Sequence, residues 1–132
     1  MAGYSGTPLP KKLGITEDSC VALIDAPTGV VDDLPAGVMV KRQARGSADV
    51  VVAFFIRRRD FERRLETLAR MIFPAGGLWV AWPKRASSRE TDMHEGVVRD
   101  VALPLGLVDN KVCAIDETWT GLRVVWRRER RG

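Results

Sequence analysis

The sequence predicts a single three-layer α/β domain with a mostly parallel sheet, closed by a C-terminal antiparallel hairpin. Two observations support this class. Apolar runs without polar alternation are typical of strands buried on both faces, and segments of helical periodicity separate several of those runs. Strands that alternate with helices favour a parallel sheet with right-handed crossovers. With 132 residues, 45% of them hydrophobic and 29% charged, the chain has the size and balance of one globular domain.

Six apolar runs are predicted to form the strands of this sheet. The run at residues 49–56 is the strongest, because it is β-branched, aromatic and uninterrupted, and we expect it to be central. The last two runs form a terminal hairpin around a turn at residues 116–121. The six predicted strands are residues 20–24, 38–40, 49–56, 78–82, 111–115 and 122–126.

Helices are predicted in the connections between these strands. The clearest helix has one apolar face, and Asp60 is a suitable N-cap for it. The inward residues of this helix are Phe61, Leu65, Leu68 and Ile72. A second helix is predicted to start at a capping box formed by Ser87 and Glu90 and to stop near Pro104. One or two helical turns are also expected over residues 30–34.

The two ends of the chain are expected to lie outside the packed core. Residues 1–13 read as an extended N-terminal arm, because Pro8 and Pro10 cannot occupy the interior of a helix. Residues 127–132 read as a basic tail. No apolar run approaches the ~20 residues that cross a bilayer, and the N-terminal residues lack the pattern of a signal peptide. A cytoplasmic location is therefore expected.

Residue types that carry chemistry are sparse. Cys20 and Cys113 lie in apolar runs and are expected to be buried free thiols. The single histidine, His94, and the scattered carboxylates give no metal-ligand spacing, so neither a metal nor a catalytic role for His94 is assigned. The net charge of +4 is carried mainly by arginine. It leaves nucleic acid, an anionic ligand or an acidic partner open.

The middle of the chain resembles a class I methyltransferase, which has a Rossmann-like core. In that family an Asp-led apolar strand is followed by a helix and then by a turn of the form L-x-P-G-G-x-L-x-V. The apolar strand here follows Asp49, and the turn corresponds to residues 73–80, FPAGGLWV. The predicted helix and hairpin over residues 87–126 also fit the C-terminal end of that fold. The resemblance implies a Rossmann-like sheet with a ligand site at its carboxyl edge.

The chain also resembles a family of small bacterial proteins known only as a domain of unknown function. The segments that carry this resemblance are residues 5–14 (SGTPLPKKLG), 77–84 (GLWVAWPK) and 106–112 (GLVDNKV). It implies a shared fold and no activity.

In methyltransferases a glycine loop after the first strand approaches S-adenosylmethionine closely. Glycine is needed there because a Cβ would block the approach or the positive-φ turn. On the alignment that the resemblance implies, Gly29 is retained, whereas Asp25 and Pro27 occupy the other two glycine positions. The second strand is followed by Lys41 in place of the usual carboxylate for the ribose hydroxyls. These residues argue against S-adenosylmethionine bound in the usual way, and no cofactor is assigned.

The candidate ligand or partner site lies at the carboxyl edge of the sheet, where open α/β sheets bind ligands. Arg57 opens a run of arginines that opposes the dipole of the following helix. Trp82 and Trp119 are suited to stacking on a planar ligand, and Lys84 with Arg85 to holding an anion. A solvated or packing role is the open alternative for each. The candidate residues are Asp25, Thr28, Arg57, Trp82, Lys84, Arg85, Asp116 and Trp119.

Two main classes of function remain open at this point. The altered loop and the basic groups at the same edge favour a non-enzymatic binding or regulatory protein on a methyltransferase-like scaffold, with an anionic ligand or another protein as its partner. The alternative is a minimal S-adenosylmethionine-dependent methyltransferase with atypical cofactor binding. A minor alternative is nucleic-acid binding through arginine.

Overall fold

A six-stranded sheet forms the centre of the computed structural model, which describes residues 7–132. The strands are β1 (Cys20–Ile24), β2 (Met39–Lys41), β3 (Val50–Phe54), β4 (Gly77–Pro83), β5 (Leu107–Ala114) and β6 (Trp119–Trp126). They lie side by side in the order β2-β1-β3-β4-β6-β5. The strands β1 to β4 are parallel, and β6 is antiparallel to both β4 and β5. The predicted fold class is confirmed.

Two helices cover one face of the sheet. The α-helices are α1 (Leu9–Lys12), α2 (Arg58–Ile72) and α3 (Glu95–Ala102). The inward side of α2 is fully buried, with Phe61, Leu65 and Leu68 each 0% exposed. These side chains belong to the same core as Val51 and Val80 of the central strands, and the buried residues of α3 join them. Side chains alternate between the two faces of a sheet, so the strand side chains on the opposite face must be buried by other segments.

The opposite face is covered by short segments in place of long helices. Leu13 and Ile15, which follow α1, form a second core with Val31 and with strand residues that include Val52 and Trp79. The indole of Trp79 is fully buried and donates a 2.9 Å hydrogen bond from Nε1 to the carbonyl of Leu13. The third layer therefore consists of the N-terminal segment and the connection between β1 and β2.

The predicted N-terminal arm is the first point that the structure corrects. Residues 9–12 are helical and not extended, because Pro8 and Pro10 fall at the N-cap and in the first turn, where proline is tolerated. Leu13 is 1% exposed, so this segment belongs to the core. The part of the predicted arm that precedes residue 7 lies outside the described residues.

Two predicted features of the helices are also wrong. Residues 30–34 form bends and irregular coil, because the segment packs by Val31 without completing a helical turn. Helix α2 begins before its predicted cap, Asp60, which lies in the first turn. The carboxylate of Asp92 accepts the backbone N–H of Arg58 at 2.7 Å, so a distant residue caps this helix.

The capping box predicted at Ser87 and Glu90 does not start a helix. Ser87 lies in a 3₁₀ turn, and its hydroxyl donates a 2.7 Å hydrogen bond to the carbonyl of Lys84. Helix α3 begins only at Glu95. Because of this later start, residues 88–94 form a loop at the carboxyl edge of the sheet.

The described residues also bear on the expectations about chemistry. Cys20 and Cys113 are free, as predicted, although Cys20 is only partly buried. Within residues 7–132 no helix is long and apolar enough to cross a membrane. The same residues contain no cluster of His, Cys, Asp and Glu with the arrangement of a metal site.

Candidate functional site

A cavity of about 610 Å³ opens at the carboxyl edge of the parallel strands. Its volume lies in the range of small-molecule sites. Its walls come from the ends of β1 and β3, the first turns of α2, the loop before α3 and the start of β6. We refer to it as the edge cleft, and it is lined by Asp25, Pro27, Phe54, Phe55, Ile56, Asp60, Arg63, Arg64, Arg89 and Trp119.

Asp25 follows β1 directly and pairs with helix α2 across the edge cleft. Its backbone has a φ of +57°, in the left-handed region that favours glycine. Its carboxylate accepts a 3.0 Å hydrogen bond from Nη1 of Arg64. The Asp25 side chain is 69% exposed and the Arg64 side chain 37% exposed. An exposed pair of this kind is weak, so a ligand anion can compete for the Arg64 guanidinium.

A second ion pair lies along the same wall of the cleft. Nη2 of Arg63 approaches Oδ1 of Asp60 at 3.5 Å, and the Arg63 side chain is 77% exposed. With Arg89, the lining contains three guanidinium groups and two carboxylates. The cleft is therefore positive by one charge and also offers acidic partners to a cationic group.

The opposite wall is aromatic. Trp119 is 5% exposed, and its ring meets that of Phe54 edge to face at a centroid distance of 5.1 Å. The guanidinium of Arg89 lies 5.4 Å from the centroid of the Trp119 ring, within the range of a cation–π interaction. The planar guanidinium of Arg89 therefore lies over Trp119 at the position where a flat ligand would stack.

Asp116 fixes the position of the aromatic wall at Trp119 but does not itself line the edge cleft. Its Oδ1 accepts the backbone N–H groups of Thr118 and Trp119, both at 2.8 Å. These bonds fix the hairpin turn from which Trp119 enters the cleft. The role of Asp116 in the structure is therefore that of a turn residue.

A second cavity, of about 540 Å³, adjoins the edge cleft at the end of β4. Arg89 lines both cavities. Three predicted site residues, Trp82, Lys84 and Arg85, lie in the second cavity. The hydroxyl of Thr91 donates a 2.5 Å hydrogen bond to the carbonyl of Ile56, which holds the loop containing Arg89 against the end of β3.

The predicted site residues are therefore divided among neighbouring places. Only Asp25 and Trp119 of that set line the edge cleft. Arg57 lines a third cavity, of about 480 Å³, together with Arg89. Thr28 is exposed and lines none of these three cavities.

Sequence reasoning did not identify Arg63, Arg64 or Arg89 as candidate site residues. Because a helix was predicted to start at Ser87, Arg89 was assigned to that helix and not to a loop at the carboxyl edge of the sheet. A usable signal for Arg64 was its position near the start of a helix that follows a buried strand, because such helix starts lie at the carboxyl edge.

The described residues do not fit S-adenosylmethionine in the usual way. β2 ends at Lys41, which pairs with Ala22, two residues before the end of β1. The Lys41 ammonium donates hydrogen bonds to the carbonyls of Arg45 and Ser47 and so stabilises the following loop. A lysine therefore occupies the position where methyltransferases have the carboxylate that binds the ribose hydroxyls. Asp25 keeps a glycine-like φ but adds a carboxylate to the cleft.

No protein-family model and no curated protein sequence matches the chain, so the resemblance to the uncharacterised bacterial family is not confirmed. Solved methyltransferase structures do match its fold. The ribosomal protein L11 methylase of Lactobacillus delbrueckii subsp. bulgaricus is 8% identical, with a TM-score of 0.60, and the match covers 91% of this chain and 75% of that one. A SAM-dependent methyltransferase from Aquifex aeolicus is 15% identical, with a TM-score of 0.55 and coverages of 86% and 85%.

The magnesium protoporphyrin IX methyltransferase of Synechocystis PCC 6803, with bound S-adenosylmethionine, is 11% identical. The TM-score is 0.56, and the match covers 90% of this chain and 74% of the enzyme. In another structure of that enzyme the match covers only 52% of its length. At such low identities the likeness concerns the fold alone. The chain has the Rossmann-like fold of S-adenosylmethionine-dependent methyltransferases.

Proposed function

We propose that this chain binds, in the edge cleft, a small molecule that carries an anionic group beside a planar ring system. The observation that carries the proposal is the exposed ion pair of Arg64 with Asp25, next to the aromatic wall at Trp119. A ligand carboxylate or phosphate can replace the Asp25 carboxylate on Arg64 in a charge-assisted hydrogen bond. A flat ring can stack on Arg89 or replace it over Trp119.

Methyl transfer from S-adenosylmethionine is the catalytic form of this proposal. The methyltransferases of similar fold support it better than a purely non-enzymatic role. S-adenosylmethionine has a carboxylate for Arg64, an ammonium for Asp60 and a planar adenine. It would be held without a ribose carboxylate from β2, which is the atypical binding of the enzymatic alternative.

The test is isothermal titration calorimetry on the full chain with S-adenosylmethionine, S-adenosylhomocysteine, adenosine and inorganic phosphate as separate probes. The informative variant is Arg64→Gln. The matched control is Arg70→Gln, on the same helix, because Arg70 pairs with Glu66 at 4.0 Å and lines none of the three edge cavities. We expect Arg64→Gln to weaken binding about tenfold or more, the scale of one lost charge-assisted bond, and Arg70→Gln to leave it unchanged.

The probes separate the two forms of the proposal. Saturable binding of S-adenosylmethionine that depends on Arg64 supports a methyltransferase, and transfer of a labelled methyl group to a cell extract would then be measured. Binding of phosphate without any nucleoside supports the non-enzymatic form. Failure of every probe at millimolar concentration, or an equal loss in both variants, overturns the assignment of the cleft.

A further inference from the structure

A second basic surface lies at the edge of the sheet opposite to the edge cleft. β6 runs antiparallel to β4, so Trp126 at its end lies near the start of β4. The two edges are separated by the seven residues of β4, a length of about 20 Å. A small ligand in the edge cleft therefore does not reach this second surface.

The charge of the chain is concentrated there. The last ten residues contain five arginines and a single acidic residue, Glu129, so their formal charge of +4 equals that of the whole chain. They contain no lysine. We refer to them as the amino-edge arginines: Arg123, Arg127, Arg128, Arg130 and Arg131.

These arginines lack the carboxylate partners that most arginines on the helices have. The helical arginines that have a carboxylate oxygen within 4.0 Å are Arg58, Arg63, Arg64, Arg70 and Arg99. Within residues 7–132, none of the amino-edge arginines has such a partner. No ion pair within 4.0 Å among the described residues therefore offsets their mutual repulsion.

The tail is nevertheless held in one place. The backbone N–H of Arg127 donates a 3.0 Å hydrogen bond to the carbonyl of Gly106, and the side chain of Arg130 packs over the same glycine. Nε of Arg131 donates a 2.9 Å hydrogen bond to the carbonyl of Trp126. The predicted basic tail is therefore a folded part of the surface.

Arg123 shows the electrostatic consequence of this arrangement. Its guanidinium packs against Gly77. Burial, together with the positive charge of Arg131, lowers the pKa of Arg123. A bound anion would relieve the repulsion between these two groups.

An exposed aromatic ring adjoins the arginines. Phe73 is 47% exposed, and its ring meets that of Trp126 edge to face at a centroid distance of 5.6 Å. Nε1 of Trp126 donates a 2.8 Å hydrogen bond to the carbonyl of Ala69, which fixes the indole. Trp126 thus contacts Phe73 through its ring and Arg131 through its backbone carbonyl, which places the exposed ring next to at least one of the amino-edge arginines.

We propose that this surface binds single-stranded nucleic acid, with the amino-edge arginines on the phosphates and Phe73 stacked on a base. Arginine binds phosphate with two parallel hydrogen bonds. An exposed ring beside a basic surface is the arrangement that binds unpaired bases. A single exposed ring is too small an apolar area to insert into a bilayer, and several arginines on a tail held by hydrogen bonds suit a polyanion with repeated phosphates.

The test is fluorescence anisotropy of the full chain with labelled oligouridine and oligothymidine of about 15 nucleotides, a length that covers a single-strand site. We expect the logarithm of the affinity to fall with the logarithm of salt concentration, by about 0.7 per phosphate neutralised. The variant Arg128→Gln/Arg130→Gln removes two exposed charges. Its control is Arg42→Gln/Arg45→Gln, which removes two exposed charges beside β2, at the far side of the sheet.

We expect the tail variant to lose about tenfold in affinity at low salt and the control less than about twofold, with Phe73→Leu losing about fivefold. Equal losses in the two double variants, or no binding at about 50 mM salt, overturn the proposal. Capture of phosphatidylserine vesicles without oligonucleotide binding also overturns it, in favour of lipid headgroups. Arg64→Gln should bind oligonucleotide normally, so this result is independent of the edge cleft.

Discussion

The carboxylate of Asp92, in the loop before α3, caps helix α2, because its Oδ1 accepts the backbone N–H of Arg58 at 2.7 Å. The two residues are 34 positions apart in the sequence. Arg89 lies in the same loop as Asp92, and Thr91 fixes that loop to the carbonyl of Ile56. The cap therefore stabilises the helix and also holds the loop that places Arg89 over Trp119.

Removal of this cap should destabilise the protein measurably. Asp92→Ala leaves the first N–H of α2 without its acceptor, and we expect the free energy of unfolding to fall by about 1 kcal/mol. Asp92→Asn retains an acceptor oxygen and should recover most of that loss. Urea unfolding of the two variants gives the comparison. An equal loss in both would mean that the charge near the helix N-terminus, and not the hydrogen bond, provides the stabilisation.

Gly76, which precedes β4, and Gly77, its first residue, should respond differently to alanine. A Cβ on Gly76 would lie 2.8 Å from the carbonyl oxygen of Asp49 and 2.9 Å from that of Ala48, whereas a Cβ on Gly77 would meet the guanidinium of Arg123. Backbone atoms cannot give way, but a guanidinium can. We expect Gly76→Ala to lower the free energy of unfolding by about 2 kcal/mol or more and Gly77→Ala by clearly less. Similar midpoints in urea unfolding would contradict this order.

The conformation of Asp25 leads to a third prediction. With its φ of +57°, Asp25→Gly removes steric strain but also the ion pair to Arg64, so the net change in stability should stay within about 1 kcal/mol. Asp25→Val places a β-branched side chain in the left-handed region and should cost about 1–2 kcal/mol more than glycine does. Thermal unfolding of the two variants measures the difference. Equal stability would mean that the turn relaxes out of this conformation.

Local patterns predicted the strands and the two longer helices, because burial on one face leaves a periodic pattern and burial on both faces leaves a continuous apolar run. Residues 49–56 contain β3, which is buried along its whole length. The start of β5 was predicted four residues late, at Lys111 instead of Leu107. Its first half includes the partly exposed Asp109, so the apolar pattern that marks a buried strand is missing there.

Features that depend on distant partners could not be predicted in this way. The N-terminal segment reads as an arm because of its prolines, yet Leu13 is buried by its contact with Trp79, which is 66 positions away. The edge cleft depends on Arg89 and Trp119, which lie in or next to loops without periodicity and are held in place by hydrogen bonds of Thr91 and Asp116. Topology alone predicted a site at the carboxyl edge of the sheet, where the edge cleft lies, but it could not say which side chains share a cavity.

The thiol of Cys113 should make stability fall at alkaline pH. The side chain is 7% exposed, and burial raises its pKa despite the opposing effect of Lys12 and Lys111. The unfolded chain therefore releases this proton at a lower pH than the folded chain does. The contribution of the neutral thiol is complete below the unfolded-state pKa of about 8.5 and is lost as the pH rises through the folded-state value.

Cys113→Ala removes this titration, which makes it the reference for the measurement. We expect the difference in free energy of unfolding between the wild type and Cys113→Ala to shrink between about pH 7 and about pH 10. Urea unfolding at several pH values gives that difference, and other alkaline titrations cancel because both proteins share them. A constant difference across the range would mean that the folded protein accommodates the thiolate as well as water does, and that Cys113 is hydrated in spite of its position under the N-terminal segment.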